Sequence, residues 1–115
     1  MRFLVCGGRD YDDGPAIYRA LDALHAKCGI TCIIEGGAPG ADTHAREWAR
    51  ANGVDVRTFY ADWQTYGRRA GPLRNARMLD EGRPDGVVAF PGGRGTADMI
   101  RQASTARLKV WRPYG

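Results

Sequence analysis

Val87-Val88-Ala89-Phe90 runs directly into Pro91-Gly92-Gly93-Arg94-Gly95-Thr96, and a helical stretch from Ala97 to about Ala106 follows. The apolar run is short, unbroken and rich in β-branched residues, as a strand buried on both faces would be. Glycines at 92, 93 and 95 allow a sharp turn and a close approach by a ligand. Thr96 is the expected N-cap, its hydroxyl accepting from an orphan N–H of the first turn. A helix N-terminus behind such a loop attracts an anion, typically phosphate.

The same plan recurs along the chain. Arg2 to Cys6 reads as a first strand and Gly7-Gly8-Arg9-Asp10 as the loop after it. Pro15 suits a first helical position, with Asp13 or Gly14 as cap, and Gly29 ends that helix. Thr31 to Glu35 is the second strand, and Gly36-Gly37-Ala38-Pro39-Gly40-Ala41-Asp42 the second glycine loop. A helix to about Asn52 follows, with Ala45, Trp48 and Ala49 on its inner face, and Val54 to Phe59 alternates as a third strand. Tyr60 to Pro72 is expected to be an irregular connection, Leu73 to Glu81 a helix and Lys109 to Trp111 a last strand.

Strand and helix alternate throughout, which argues for an α/β fold: a three-layer sandwich with helices on both faces of a parallel sheet. Right-handed crossovers place every strand's C-terminal end on one edge. The expected strand order is 3-2-1-4-5, with strands one and four meeting at the switch point where ligands bind. The loops at Gly7 to Asp10, Gly36 to Asp42 and Pro91 to Thr96 then converge in space. No linker, repeat or low-complexity stretch appears, so residues 1–115 read as a single domain.

Composition narrows the function classes. No run approaches the roughly 18 apolar residues of a membrane helix, and Phe3-Leu4-Val5-Cys6 is too short for a signal peptide core. A cytoplasmic protein without a membrane partner is expected. Cys6, Cys28 and Cys32 form no C-x-x-C and read as buried reduced thiols, so neither a metal site nor a cofactor is expected. G-x-x-x-x-G-K-[ST], G-x-G-x-x-G after strand one and G-x-S-x-G are all absent, which argues against a P-loop NTPase, ordinary NAD binding and a serine hydrolase. The net charge is +4, and arginine supplies fifteen of the seventeen basic residues. Arg68, Arg69, Arg74 and Arg77 lie together with no acid among them.

The segments Gly7-Gly8-Arg9-Asp10-Tyr11, Glu35 to Asp42, Ala61-Asp62-Trp63, Tyr66-Gly67, Ala70-Gly71-Pro72-Leu73-Arg74-Asn75 and Ala89 to Gly93 with Gly95-Thr96 together resemble the SLOG superfamily. The nearest branch looks like the small YspA/YpsA-related proteins. The resemblance implies a Rossmann-like fold, a nucleotide or nucleotide-derived ligand and a homo-oligomer, with Trp48 and the Tyr60 to Tyr66 loop as candidate contacts. Two relatives point to different activities. Lonely Guy phosphoribohydrolases carry P-G-G-x-G-T-x-x-E, in which the glutamate and an upstream arginine act at the ribosyl bond. Here Pro91 to Thr96 matches, but Met99 holds the glutamate position. Asp98 lies one residue earlier, about 100° around a helix. The resemblance implies Asp98 as acid/base and Arg74 (or Arg77) as the arginine. DNA-processing protein A shares an Arg-Asn signature like Arg74-Asn75, which raises single-stranded nucleic acid as a third, less favoured partner.

The candidate ligand-binding residues are therefore Gly7, Gly8, Arg9, Asp10, Gly36, Gly37, Gly40, Ala41, Asp42, Trp63, Arg74, Asn75, Pro91, Gly92, Gly93, Arg94, Gly95 and Thr96. Asp42 can be a helix N-cap, a ribose-hydroxyl acceptor or a partner for an arginine. Arg9 and Asp10 can pair with each other or face the ligand. Trp63 can stack on a base or close the core under its loop, which is what large aromatics in such loops usually do. His44 has no nucleophile partner and is not read as catalytic. The leading expectation is a sensor or sequestering module for a nucleotide-derived small molecule. An N-glycosidic hydrolase is the alternative.

Overall fold

The computed structural model describes residues Met1–Gly115. Arg2–Cys6 forms β1, Cys32–Glu35 β2, Asp55–Thr58 β3, Gly86–Ala89 β4 and Val110–Trp111 β5. All five join one sheet in the order β3-β2-β1-β4-β5, and every pairing is parallel. The order is the one expected from right-handed crossovers. Phe3 and Val5 of β1 point to one face, and Leu4 and Cys6 to the other. This period-two alternation lets a continuous apolar strand feed two cores at once.

The helices divide between those faces. Gly14–Cys28 (α1) and Ala41–Ala51 (α2) cover one, against Ile33, Val88 and Phe90. Ala70–Gly82 (α4) and Arg94–Thr105 (α5) cover the other, where Met78, Met99 and Ala103 meet Leu4, Ile34 and Val87. Trp48 is fully buried in the first core, and its Nε1 donates to Asp22 Oδ1 at 2.8 Å. It is core, as expected, and its burial removes it as an oligomer contact.

Most caps follow the local rules. Asp13 caps α1, accepting from the Ala16 amide at 3.1 Å, and Gly29 ends it with φ of 69°. Three expectations change. Tyr60 to Pro72 is mostly helical: Trp63–Tyr66 forms α3, a 3-10 turn spans Gly67–Arg69, and α4 begins at Ala70. Asp62 makes this possible by accepting from the Thr65 amide at 3.1 Å, the capping geometry that starts a helix. Helix α5 starts at Arg94 with Gly93 as N-cap, so Thr96 lies inside the first turn and caps nothing. Likewise α2 starts at Ala41 behind Gly40, so Asp42 is not its N-cap. In both loops glycine takes the cap position that a hydroxyl or carboxylate was expected to hold.

Candidate functional site

The site is the gap that opens where β1 and β4 end side by side. Cys6 pairs with Ala89, and Phe90 N–H donates to Cys6 C=O at 2.9 Å. One step further Gly8 N–H donates to Pro91 C=O at 2.8 Å, so the two loops cross almost in contact. A Cβ on Gly92 would stand 2.7 Å from the Gly8 nitrogen. The third loop closes from the side. Ala41 N–H donates to Gly8 C=O at 3.2 Å, and Gly40, at φ of 77°, presses against the Arg9 backbone. The expected convergence is realised, and it encloses a crevice of about 540 Å³.

Gly7, Gly8, Arg9, Asp10, Asp42, Arg74, Asn75 and the whole run from Pro91 to Thr96 line this crevice. Gly36, Gly37, Gly40, Ala41 and Trp63 do not: the glycines and Ala41 shape the wall from behind. Val5, Cys6, Tyr11, Ala38 and Met78 also contribute lining that sequence reasoning did not select. Cys6 and Met78 are core-facing by periodicity, so only the ending of the sheet exposes them to the crevice.

Arg9 and Asp10 form no ion pair with each other; the Arg9 guanidinium sits 5.5 Å from the centroid of the Trp63 ring. Trp63 is 48% exposed and does not close the core. It leans over Gly71 at the start of α4, beside the crevice mouth.

Arg74 and Asn75 open toward different partners. Arg74 Nη1 donates to Gly36 C=O at 2.6 Å and Nε to Asn75 Oδ1 at 3.1 Å. Burial lowers the Arg74 pKa from its usual value, while the nearby Asp42 charge opposes that shift. Asn75 is buried and donates to Gly95 C=O at 3.2 Å and to Asp98 Oδ2 at 2.9 Å. It thus ties the first turn of α5 to α4.

Asp98 is not brought to the crevice. Its Oδ2 accepts from Asn75 and from Gln102 Nε2 at 2.8 Å, and its Oδ1 accepts from Arg101. A carboxylate engaged on both oxygens and outside the lining holds two helices together. Met99 is buried in the second core.

The second loop is held by two carboxylates. Asp42 Oδ2 accepts from the amides of Gly36 at 3.1 Å and Ala38 at 3.2 Å. Burial pushes its pKa up to about 6, the Glu35 charge adds to the rise, and Ala38, Arg74 and Gly36 oppose it. Glu35 is fully buried; it accepts from Gly37 N–H at 2.7 Å and from the Thr58 hydroxyl, with Arg46 Nη1 3.9 Å away. Sequence reasoning left Glu35 as a strand end. An acid closing an apolar strand immediately before a glycine loop was the available signal. Beneath the loop, burial and the Asp42 charge push the Cys6 thiol up to about 12, so it stays protonated. His44 pairs with Asp12, Nε2 to Oδ1 3.0 Å, away from the lining.

The profile of the YAcAr family, described as the YspA, cpYpsA-related SLOG family, matches residues 1–66. The Gene 61 protein of Mycobacterium phage D29 is 38% identical over 117 residues, covering 95% of this chain and 93% of that protein. The chain belongs to the YspA/cpYpsA-related SLOG family. Its matched part contains the first two loops and Trp63, and ends before Arg74 and the Pro91 to Thr96 loop. A crystal structure of phosphoribosylglycinamide formyltransferase from Bacillus halodurans is similar at a TM-score of 0.46 and 19% identity, over 94% of this chain and 66% of that one. At that level the likeness adds nothing to the topology described above. In the SLOG domain described here no helix is long and apolar enough to cross a membrane.

Proposed function

We propose that the crevice binds a nucleotide or nucleotide-derived phosphorylated ligand, and that the protein is a sensor or sequestering module for it. One observation carries the reading. Helix α5 begins behind Gly93 with no side-chain cap, and its first turn lines the crevice together with Arg9, Arg74 and Arg94. Uncapped first-turn amides with arginines around them form a phosphate cradle. Binding without turnover is favoured because Asp98 is engaged elsewhere, which leaves Asp10 and Asp42 as the crevice's only carboxylates.

The test is a thermal-shift screen against nucleotides, cyclic nucleotides and ADP-ribose-type compounds, with each hit recovered and chromatographed. A ligand at hundredfold excess over its Kd should add about 2.7 kcal/mol of stability. Recovery of intact ligand supports the module. Recovery of free base and ribose phosphate makes the protein an N-glycosidic hydrolase instead.

A second reading has its own observation. Tyr60, Trp63 and Tyr66 are exposed along one short stretch, next to exposed Arg68 and Arg69. Exposed aromatics among arginines suit stacking on single-stranded nucleic acid. That reading requires single-strand affinity that falls steeply with salt.

A further inference from the structure

Asp42 and Arg74 face each other across Gly36. A Cβ on Gly36 would lie 2.7 Å from Arg74 Cζ and 3.0 Å from Asp42 Oδ2. The two residues nevertheless form no direct ion pair. Each is half satisfied. Both backbone donors that hold Asp42 go to Oδ2, so Oδ1 has no partner in the protein. Asp42 is only 6% exposed, yet no buried side-chain oxygen is left unpaired, so Oδ1 reaches the crevice that Asp42 lines. On Arg74, Nη1 and Nε are engaged and Nη2 has no protein acceptor. The wall therefore presents one free charged acceptor beside one free charged donor.

A fully ionised phosphate monoester group carries acceptors only and so satisfies only the donor. A phosphorylated sugar satisfies both, since it carries anionic oxygens and hydroxyl donors on one rigid frame. We infer that Asp42 Oδ1 reads a ribose hydroxyl next to the phosphate held by Arg74, so that the site selects ribonucleotides over their 2′,3′-dideoxy counterparts. This rests on the phosphate reading of the crevice proposed above. A buried site built to pair a hydroxyl rejects the analogue that lacks it, because the acceptor is then left dry and unpaired.

The experiment is calorimetric titration of the wild-type protein with the four ribonucleoside 5′-monophosphates and with their 2′-deoxy and 2′,3′-dideoxy forms. For the base that binds best, the ribo form should bind tighter than the dideoxy form by about tenfold or more. The 2′-deoxy form identifies which hydroxyl is read. Asp42→Asn retains an oxygen for the Gly36 and Ala38 amides, and it should bring the ribo-to-dideoxy ratio close to unity; its melting curve checks that it folds. Equal affinity of the wild type for all three sugars overturns the inference and leaves the phosphate reading standing. Failure of every monophosphate to bind overturns the inference, and the thermal-shift screen then decides the phosphate reading separately.

Discussion

The two glycine loops that flank β1 at the sheet edge look alike in composition and are held in opposite ways. Gly36 to Asp42 is fastened from within. Glu35 and Asp42 accept its amides, Thr43 Oγ1 donates to Ala38 C=O at 2.9 Å, and Arg74 takes the Gly36 carbonyl. Pro91 to Gly95 has no comparable side-chain anchors. Its residues are exposed, and it is fixed by the Gly8 amide on Pro91 and by Asn75 on Gly95. The first loop is a braced wall and the second an open mouth. Glycine therefore serves two ends on one edge. In the wall it makes room for side chains that lock the backbone, and in the mouth it keeps backbone amides bare.

The sharpest way to break this contrast is Glu35→Ala. It strands the Thr58 hydroxyl and the Gly37 amide and leaves Arg46 without its nearest carboxylate. Removing one partner of a buried charged set should cost about 3–5 kcal/mol, read as a lowered urea midpoint. A loss under about 1 kcal/mol would mean the wall is not braced by Glu35. Arg94→Ala, at the exposed mouth, should stay within about 0.5 kcal/mol of wild type while weakening nucleotide binding.

Asp42 adds a pH signature that the mouth lacks. Its pKa is raised from 3.8 to about 6, so the folded state holds the proton more tightly than the unfolded state. The corresponding stability, about 3 kcal/mol in all, is fully present below about pH 3.8 and lost as pH rises through about 6. Urea midpoints of wild type and Asp42→Asn across that window should diverge, the variant losing this slope. Parallel curves would refute a buried, titrating Asp42. Protonation of Asp42 below about pH 6 should mimic Asp42→Asn and shrink the ribo-to-dideoxy ratio.

Within the mouth, the glycines themselves should split. Gly92→Ala drives a Cβ to 2.7 Å from the Gly8 nitrogen and 2.9 Å from Thr96 Cβ. It should cost about 1–3 kcal/mol and abolish binding, checked by melting and titration together. Gly95 has open space where a Cβ would go and lies in the first turn of α5. Gly95→Ala should therefore raise stability by up to about 1 kcal/mol, since alanine is the better helix former, while binding still weakens. If both variants bind ligand normally, the mouth is not where the phosphate sits.

Much of this architecture can be read without coordinates. Alternation of apolar strands with helical periods, together with the handedness of crossovers, dictates the order β3-β2-β1-β4-β5 and the meeting of three loops at one edge. Those constraints are local in sequence or general to L-amino acids. Side-chain roles are not local. Asn75 finds its partners 20 and 23 residues away, and Trp48 finds Asp22 at a separation of 26. Trp48 and Trp63 are the same residue type, yet one is sealed in the core and the other half exposed at the crevice mouth. Asp98 looks available on a helix wheel and is consumed by Asn75, Gln102 and Arg101. The sequence alone determined the sheet, the edge and the loops, because periodicity and chirality act along the chain. Only the tertiary structure decided which carboxylate braces a wall and which oxygen stays free, because a buried polar group takes whatever partner the packing brings within reach.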